Sequence, residues 1–218
     1  MDEDDKDFIK IDFADKYIGG YTIGPGLVQE EIRFITAPEH IVAMLIAEKL
    51  EDDECLIMTG CEKFSSYSGY SKSFKFKGNY IDRSSHDTLG RKHNQWIAMD
   101  AQSYHSNPES QFEAKNIIRD LNKSYCAFSA SNTNQSAIAT GNWGCGIFRG
   151  NAHLKVNETT SYYTTYYTRS YIPHHSTLHE CFNGISVHYS NDVCSNGAQR
   201  FVIFDFRRQE TSERVTKD

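Results

Sequence analysis

A glycine-rich stretch near the start of the chain, residues 19–26, constrains the fold more than any other part of the sequence. It contains four glycines and a proline, which keep the backbone bare and sharply turned. Helical spacing of apolar residues then resumes at Leu27, Val28, Ile32 and Ile35. The pattern predicts a loop that leads directly into a helix start, where unpaired backbone N–H groups can cradle an anion.

Three polar residues, Gln29, Glu30 and Glu31, fall in the opening turns of this predicted helix. A Gln side chain can hydrogen-bond a ligand, and one of two carboxyls can act as an acid. Two adjacent glutamates early in a helix more often form a solvated face that the helix dipole stabilises. After a glycine loop, however, the combination indicates a bound anionic sugar compound whose glycosidic bond is broken.

A short apolar strand is predicted over residues 8–13, just before the loop, and it ends in the sequence Asp-Phe-Ala-Asp at positions 12–15. Ligands of α/β proteins gather at the carboxyl ends of strands, so Asp12 is a candidate for the floor of a site. The alternative is that Asp12 caps a turn or a helix, which is the commoner role of an Asp after a strand.

A second glycine loop, residues 141–148, reads Gly-Asn-Trp-Gly-Cys-Gly-Ile-Phe and follows a predicted strand over residues 136–140. A strand, a glycine loop and a following helix allow backbone N–H groups to wrap a diphosphate. Paired with the first loop, it predicts a pyrophosphate pocket. Cys145 could be read as a nucleophile, but no His or basic partner lies close by in the sequence, so a small loop filler is the better interpretation.

Further strands and helices are predicted along the chain. Buried strands are expected at residues 54–59 and 96–100, and helices at 38–50 and 111–128. The core face of the last helix is predicted to comprise Phe112, Ile117, Ile118, Leu121 and Tyr125. Towards the end, residues 159–167 form a β-prone run, and the strand predicted over 200–206 either pairs into the sheet or leaves an edge open.

Composition excludes several classes of protein. With 218 residues and 39% hydrophobic content, the chain suits a globular domain with a real core. No apolar run approaches the roughly 20 residues of a membrane helix, and the acidic opening is unlike a secretory signal, so we expect a soluble intracellular protein without membrane contact. A formal net charge of −6 argues against direct binding to DNA.

Cysteine and histidine usage gives no sign of a disulfide framework or a metal site. The six cysteines form no C-x-x-C pair, so we expect free thiols. His175, His179, Cys181 and Cys194 match no familiar zinc spacing, and no Asp/Glu cluster has the spacing of a metal site. We therefore expect neither a metal nor a cofactor.

Four motifs follow one another in a fixed order: Ile11-Asp12-Phe13-Ala14, then Gly19-Gly20 with Gln29-Glu30-Glu31, then Gly69-Tyr70, and finally Ala139 to Gly146. Together they resemble the signature of the poly(ADP-ribose) glycohydrolase family, from about Met1 to about Lys155. The resemblance implies an α/β fold, macrodomain-like, with three α/β/α layers and a mixed central sheet. It divides the chain into a macrodomain core over residues 1–155 and a divergent C-terminal segment over 156–218.

The resemblance also implies roles for individual residues in hydrolysing the ribose–ribose bonds of poly(ADP-ribose). Glu31 is implied to be the general acid that protonates the departing 2′-oxygen and then activates water, while Glu30 orients the ribose and Asp12 belongs to the same catalytic group. Asp2 falls where the family receives the adenine amino group, and Tyr70 where a tyrosine lies along the ligand. The other implied substrate-binding residues are Asp15, Gln29, Asn142, Trp143, Gly144, Cys145, Gly146 and Ile147.

Three departures from the family pattern leave a second hypothesis open. Asp15 replaces the usual Asn, which removes two donors near a ribose or phosphate. Tyr21 fills the third place of the usual glycine triplet, which would be costly if the backbone there needs positive φ. The sequence after Lys155 also differs. The alternative is therefore a shortened, catalytically impaired variant that only binds ADP-ribose.

The resemblance further implies a cellular setting. We expect a monomer that meets poly(ADP-ribose), free ADP-ribose and ADP-ribosylated proteins during the DNA damage response. The expected locations are the nucleus and the cytoplasm.

Overall fold

The computed structural model describes residues 8–130, 138–166, 177–182, 185–194 and 197–206. Within these ranges the α-helices are α1 (Gln29–Thr36), α2 (His40–Ile46), α3 (Ala114–Ala130) and α4 (Ala152–Tyr166). The strands of the same described residues are β1 (Ile9–Ala14), β2 (Glu54–Thr59), β3 (Ser65–Ser68), β4 (Lys75–Asn79), β5 (Gln95–Asp100), β6 (Ile138–Ala139), β7 (Thr177–Phe182), β8 (Ile185–Cys194) and β9 (Gly197–Phe206). Two short 3₁₀ turns cover Ser71–Ser73 and Pro108–Phe112.

The main sheet is mixed and has seven strands in the order β6-β1-β5-β2-β9-β8-β7. Strand β1 runs parallel to both β5 and β6, whereas β2 runs antiparallel to β5 and parallel to β9. Strands β3 and β4 form a separate antiparallel pair. Because β1, β5 and β6 are parallel neighbours, their carboxyl ends meet at the same edge of the sheet.

Helices cover both faces of the sheet, so the predicted three-layer arrangement is confirmed. On one face Ala14, Leu56 and Ala98 pack with Phe34 of α1 and Ala43 of α2. On the other face Ile11, Ile57 and Ile97 pack with Cys126 and Ala127 of α3. Successive strand residues point to opposite faces. Asp12, two residues before Ala14, therefore faces α1.

The predicted helix over residues 38–50 is shorter in the structure, because α2 covers only His40–Ile46. The helix predicted from residue 111 begins at Ala114, since the chain before it forms a 3₁₀ turn with a proline at its start.

The predicted core face of α3 is wrong in part. Phe112 and Ile118 are 51% and 55% exposed, while the fully or nearly buried side of the helix carries Arg119, Asp120 and Lys123. These charges recur at helical spacing and are paired with one another and with Asp100, so the helix buries ions where apolar residues were expected.

The run over residues 159–167 was predicted to be β-prone, and this prediction is wrong, because α4 continues to Tyr166. The Thr159 hydroxyl donates to the Lys155 carbonyl one turn earlier, which satisfies this β-branched residue inside a helix. By contrast, of the two alternatives left open for residues 200–206, the structure shows the first, in which this strand pairs into the sheet. Strand β9 lies beside β2, with Phe201 opposite Cys55 and Asp205 opposite Thr59.

Candidate active site

The first glycine loop connects the carboxyl end of β1 to the start of α1, and Gln29 fastens the two elements together. Its side-chain oxygen accepts the Phe13 N–H at 2.9 Å, and its side-chain nitrogen donates to the Ile11 carbonyl at 3.1 Å. Strand β6 pairs only with Ile9 and Lys10, so Gln29 satisfies the next backbone groups along that edge of β1. The predicted ligand-binding side chain of Gln29 is thus engaged with β1.

Glu30 is nearly fully buried and faces the end of β1. One carboxyl oxygen accepts the Gly19 N–H at 2.6 Å, and the other accepts the Asp15 N–H at 2.9 Å. Burial, followed by the charge of Asp12, raises the pKa of Glu30 to about 10, although the two N–H donors act in the opposite direction. Asp15 itself is half-buried and uses its own carboxyl to accept the Tyr17 N–H.

Glu31 is also buried, but its carboxyl points to the other part of the loop. One oxygen accepts the Tyr21 N–H at 3.2 Å, and the other accepts the Val28 N–H at 2.9 Å. The Val28 contact closes the first turn of α1. Both glutamates predicted to be catalytic are therefore held by backbone donors and shielded from bulk water.

Two glycines of the loop lie directly against these carboxyls. A Cβ at Gly20 would come within 2.8 Å of a Glu31 oxygen and 2.9 Å of a Glu30 oxygen, so both carboxyls converge on this residue. A Cβ at Gly26 would lie 2.7 Å from the Glu31 carboxyl carbon. The glycine pattern thus has a physical cause, because side chains at these positions would collide with the glutamates.

Tyr21 does not need the backbone conformation that its position in the glycine triplet suggested. In this loop Gly19 and Gly20 have positive φ, at 87° and 47°, and among the described non-glycine residues positive φ occurs only at Ser71 and Arg149. The Tyr21 side chain is 72% exposed, so only its N–H contacts Glu31. A tyrosine at this position therefore does not force the backbone into a strained, positive-φ conformation.

Asp12 lies beneath the pair and is fully buried, with no hydrogen-bond partner for either carboxyl oxygen. Burial raises its pKa to about 7, the Glu31 charge acts in the same direction, and the Arg33 guanidinium opposes the shift. Asp12, Glu30 and Glu31 therefore form one group of interacting carboxyls, in which Asp12 and Glu30 hold a proton near neutral pH.

Tyr70 lies beside this carboxyl group on a loop that contacts the start of α1. The Ser71 N–H donates to the Leu27 carbonyl at 2.9 Å, which fixes the loop. Partial burial raises the pKa of the Tyr70 phenol, the Gln29 backbone N–H opposes that shift, and the Glu31 charge adds to it. More than half of the side chain is exposed, so its ring is available to a ligand next to Glu31.

The second glycine loop lies on the other side of Phe13. A Cβ at Gly141 would lie 3.3 Å from the Phe13 ring, whose backbone N–H is the group bound by Gln29. The two glycine loops therefore follow adjacent parallel strands, β1 and β6, and flank the same residue. The structure brings them to one edge of the sheet, as the prediction of a shared pocket requires.

The residues of the second loop divide into buried and exposed positions. Trp143 is buried, and its indole N–H donates to the Met99 carbonyl at 3.0 Å, so only its backbone can face a ligand. Gly144 has a φ of 73° and packs against Ala101. Burial raises the pKa of the half-buried Cys145 thiol, which fits a loop filler better than a nucleophile. The exposed positions are Gly141, Asn142, Gly146 and Ile147.

A cavity of about 50 Å³ lies behind α1 and is not part of this site. Its lining includes Lys10, Arg33 and Lys63, with the Arg33 guanidinium 4.4 Å from the centre of the Trp96 ring. Lys10 and Trp96 stand at the start of β1 and β5, whereas the carboxyl group lies at their ends. The cavity therefore opens towards the opposite edge of the sheet.

Sequence reasoning missed two sets of residues around the site. Arg33, one turn after Glu30, is the cation that acts on Asp12. Lys155, with Asp120 and Glu158, lies beneath the second loop. These residues could have been noticed because charged residues recur every three or four positions along helices that must pack against the sheet. Such spacing allows ion pairs within or between helices.

One predicted site residue, Asp2, lies outside the described residues. Within the ranges that the structure covers, no group of three or more His, Cys, Asp or Glu side chains is arranged to hold a metal ion. Within the same ranges no helix is long and apolar enough to cross a membrane.

Comparison with known proteins gives one family. A family model described as poly(ADP-ribose) glycohydrolase, macro domain fold, matches residues 1–157. The chain is 40% identical over 121 residues to poly(ADP-ribose) glycohydrolase 1 of Arabidopsis thaliana, which covers 55% of this chain and 22% of that protein. It is 31% identical over 190 residues to probable poly(ADP-ribose) glycohydrolase 2 of the same plant. This match covers 68% of this chain and 35% of that protein.

A similar relationship extends to an animal protein. The chain is 35% identical over 158 residues to poly(ADP-ribose) glycohydrolase 1 of Caenorhabditis elegans, which covers 67% of this chain and 20% of that protein. The matched regions thus span between a fifth and about a third of the length of these relatives.

Proposed function

The chain belongs to the poly(ADP-ribose) glycohydrolase family, and we propose that it hydrolyses the ribose–ribose O-glycosidic bonds of poly(ADP-ribose) to release ADP-ribose. One observation carries this proposal. Two consecutive buried carboxyls, Glu30 and Glu31, converge on Gly20 at the carboxyl end of β1, beside the buried Asp12 and between two glycine loops.

Substrate binding relies on backbone donors and one aromatic ring. The chain has a net charge of −6, so a polyanion is held by N–H groups of the loops rather than by a basic surface. The second loop, from Asn142 to Ile147, holds the diphosphate. The exposed ring of Tyr70 lies along the nucleoside that leads to Glu31.

The two glutamates have different tasks because their carboxyls have different neighbours. Glu30 faces Asp15, Gly19 and Asp12 at the strand end, so it hydrogen-bonds the ribose and orients it. Glu31 faces the side of Tyr70, where the leaving sugar lies. Glu31 gives a proton to the departing 2′-oxygen as the glycosidic C–O bond breaks.

Water completes the reaction. Bond breaking leaves an oxocarbenium-like sugar, which the negative charge of the neighbouring carboxyls stabilises. A water molecule then attacks the anomeric carbon and gives one proton back to Glu31, so the carboxyl group returns to its starting state. The products are two sugar hydroxyl groups, and no metal ion takes part in these steps.

The test is hydrolysis of labelled poly(ADP-ribose) by purified protein, with Glu31→Gln and Glu30→Gln compared with wild type. We expect Glu31→Gln to lower the rate of ADP-ribose release by about 10²–10⁴-fold, the usual contribution of a general acid. Glu30→Gln should lower it as well. Glu48→Gln, an exposed glutamate on the surface, is the matched control and should behave as wild type.

The same experiment separates hydrolysis from binding alone. Polymer that binds wild type without release of ADP-ribose would contradict the proposal and would identify a protein that only binds ADP-ribose.

A further inference from the structure

A group of charged side chains is buried beneath the second glycine loop, and the chemistry proposed above does not use it. Each member is at most 8% exposed. The members are Asp100 at the end of β5, Arg119, Asp120 and Lys123 of α3, and Lys155 and Glu158 of α4. Ions buried to this extent are costly unless they are paired, so their arrangement needs a reason.

Close contacts join these residues into one network. The Lys155 ammonium contacts the Asp120 carboxylate and lies 3.3 Å from Glu158. Asp120 also accepts from Arg119 at 3.1 Å and from the Tyr104 hydroxyl at 3.2 Å. Arg119 continues to Asp100 at 2.5 Å, and the network thereby connects α4, α3 and the carboxyl end of β5.

Lys155 is the member that touches the loop. Its ammonium lies 4.7 Å from the centre of the Trp143 ring. A Cβ at Gly144 would lie 3.5 Å from the Lys155 side chain, and a Cβ at Gly150 would lie 3.1 Å from it. The Gly150 N–H donates to the Gly144 carbonyl at 2.9 Å, so the lysine stem passes under a closed turn. Glycine at both positions leaves room for that stem.

The net charge of the buried side chains under the second loop depends on whether Glu158 is protonated. Both of its carboxyl oxygens are buried, and one of them pairs with the Lys155 ammonium at 3.3 Å. The charged and titratable groups that act on it are Lys155 on its own helix, Asp120 from α3, Tyr104 after β5 and Cys145 from the loop. Burial raises the pKa of Glu158 to about 7.

The balance of buried charge follows from this. With Glu158 neutral, three buried cations, Arg119, Lys123 and Lys155, face two buried carboxylates, Asp100 and Asp120. Arg119 additionally pairs with Asp52, which is largely exposed and therefore screened by solvent. With Glu158 ionised, the buried charges are equal in number. An anion above the loop thus meets a more positive environment when Glu158 carries its proton.

We propose that Lys155 is a positioning residue for the diphosphate of ADP-ribose, holding the second glycine loop from below, and that proton uptake by Glu158 tunes the affinity of that loop for the anion. This inference rests on the proposed function, because it concerns the same ligand. It adds a linkage between diphosphate binding and a proton on a side chain that does not touch the ligand.

The sign of the pH effect is fixed by the protonation of Glu158. Below about pH 7 the side chain is neutral and ADP-ribose binds more tightly, and above it the carboxylate weakens binding. We expect the affinity to fall by about 2.5- to 5-fold from pH 6 to pH 8, as for a bound anion that raises one pKa by half a unit to one unit. Adenosine, which lacks the diphosphate, should not show this loss.

The experiment is calorimetric titration of ADP-ribose into wild type and Glu158→Gln at pH 6, 7 and 8, in buffers of different ionisation enthalpy. Wild type should take up protons on binding near pH 7. Glu158→Gln mimics the neutral acid, so at pH 8 it should bind about 2.5- to 5-fold more tightly than wild type and at pH 6 equally well. Asp12, whose pKa is also about 7, titrates in both proteins, so the difference between them reports Glu158.

Two lysine variants test the positioning role. Lys155→Met should weaken ADP-ribose binding about tenfold or more while leaving adenosine binding within about twofold, and Lys155→Arg should restore part of the loss. Because Lys155→Met leaves Asp120 poorly paired and can unfold the protein, its thermal midpoint is measured first. If this variant is unfolded, the proposal is tested by the ADP-ribose affinities and proton uptake of wild type and Glu158→Gln.

The outcomes distinguish this inference from the proposed function. Identical pH profiles and equal proton uptake in wild type and Glu158→Gln would overturn the linkage, even if wild type hydrolyses the polymer. A wild type that does not bind ADP-ribose at any pH would overturn the proposed function and the inference together.

Discussion

Gly20 shows how strongly one residue can be constrained by the side chains of a neighbouring helix. Its φ of 47° already disfavours other residues, and its missing Cβ is the space into which Glu30 and Glu31 direct their carboxyls. Glycine was predicted here for its backbone freedom. The structure adds a contact that the sequence could not show, because the glutamates lie ten and eleven positions further along the chain.

Gly20→Ala should therefore be more harmful than an ordinary glycine substitution. We expect a loss of about 2–4 kcal/mol in the free energy of unfolding, from positive φ together with the clash at the carboxyls, and at least tenfold slower hydrolysis. Gly78→Ala is the matched control, since Gly78 has a φ of 127° but nothing within 4 Å of its Cβ position. Urea unfolding of both variants measures the difference, and equal losses would contradict the clash.

Asp12 makes stability depend on pH. Its pKa is raised from 3.8 to about 7, so between these values the folded state holds a proton that the unfolded state has lost. The stabilisation is complete below pH 4 and is lost as pH rises towards 7, amounting to roughly 4 kcal/mol. In Asp12→Asn this part of the loss should vanish. Unfolding is measured from pH 4 to pH 8, with the exposed Asp53→Asn as control.

If Asp12→Asn and wild type lose the same stability over that range, burial does not raise the pKa of the Asp12 carboxyl as described. The control should follow wild type at every pH.

Among the helices and strands, local sequence patterns predicted best those whose positions depend mainly on their own residues. Strands β1, β2 and β5 and the start of α1 follow from apolar runs and from the loop before Gln29. The interior face of α3 did not follow, because the Asp100 carboxylate that pairs with both Arg119 and Lys123 lies on β5, which the pattern along α3 alone does not identify. The residues of the first loop could be identified as a site because they follow one another in the sequence. Lys155 could not, because it reaches the second loop only through the packing of α4.

The interior face of α3 can be tested by a pair of substitutions. Lys123→Ala should cost about 3 kcal/mol or more in the free energy of unfolding, since Lys123 contacts Asp100 at 2.7 Å and donates to the Glu54 carbonyl at 2.6 Å. Ile118→Ala should cost less than about 1 kcal/mol, because its side chain is more than half exposed. Urea denaturation measures the loss in the free energy of unfolding of each variant. A larger loss for Ile118→Ala than for Lys123→Ala would contradict this assignment of the buried face of α3.

At the scale of the whole molecule, the sheet extends beyond the region that the family model matches. That match ends at residue 157, yet β9 is hydrogen-bonded to β2 in the centre of the sheet. Helix α4 crosses the same limit, since it runs from Ala152 to Tyr166. Residues after 157 therefore take part in the layer that carries β1 and the two glycine loops.

This arrangement unites the two loops at one edge of one sheet, and we propose that they form a single hydrolytic site. The decisive measurement is the rate of ADP-ribose release from labelled polymer by wild type and Glu31→Gln, with the affinity of each for ADP-ribose measured in parallel. We expect release by wild type, at least 100-fold slower release by Glu31→Gln, and affinities within about threefold of each other. Equal release by the two proteins, or none by wild type, would contradict it.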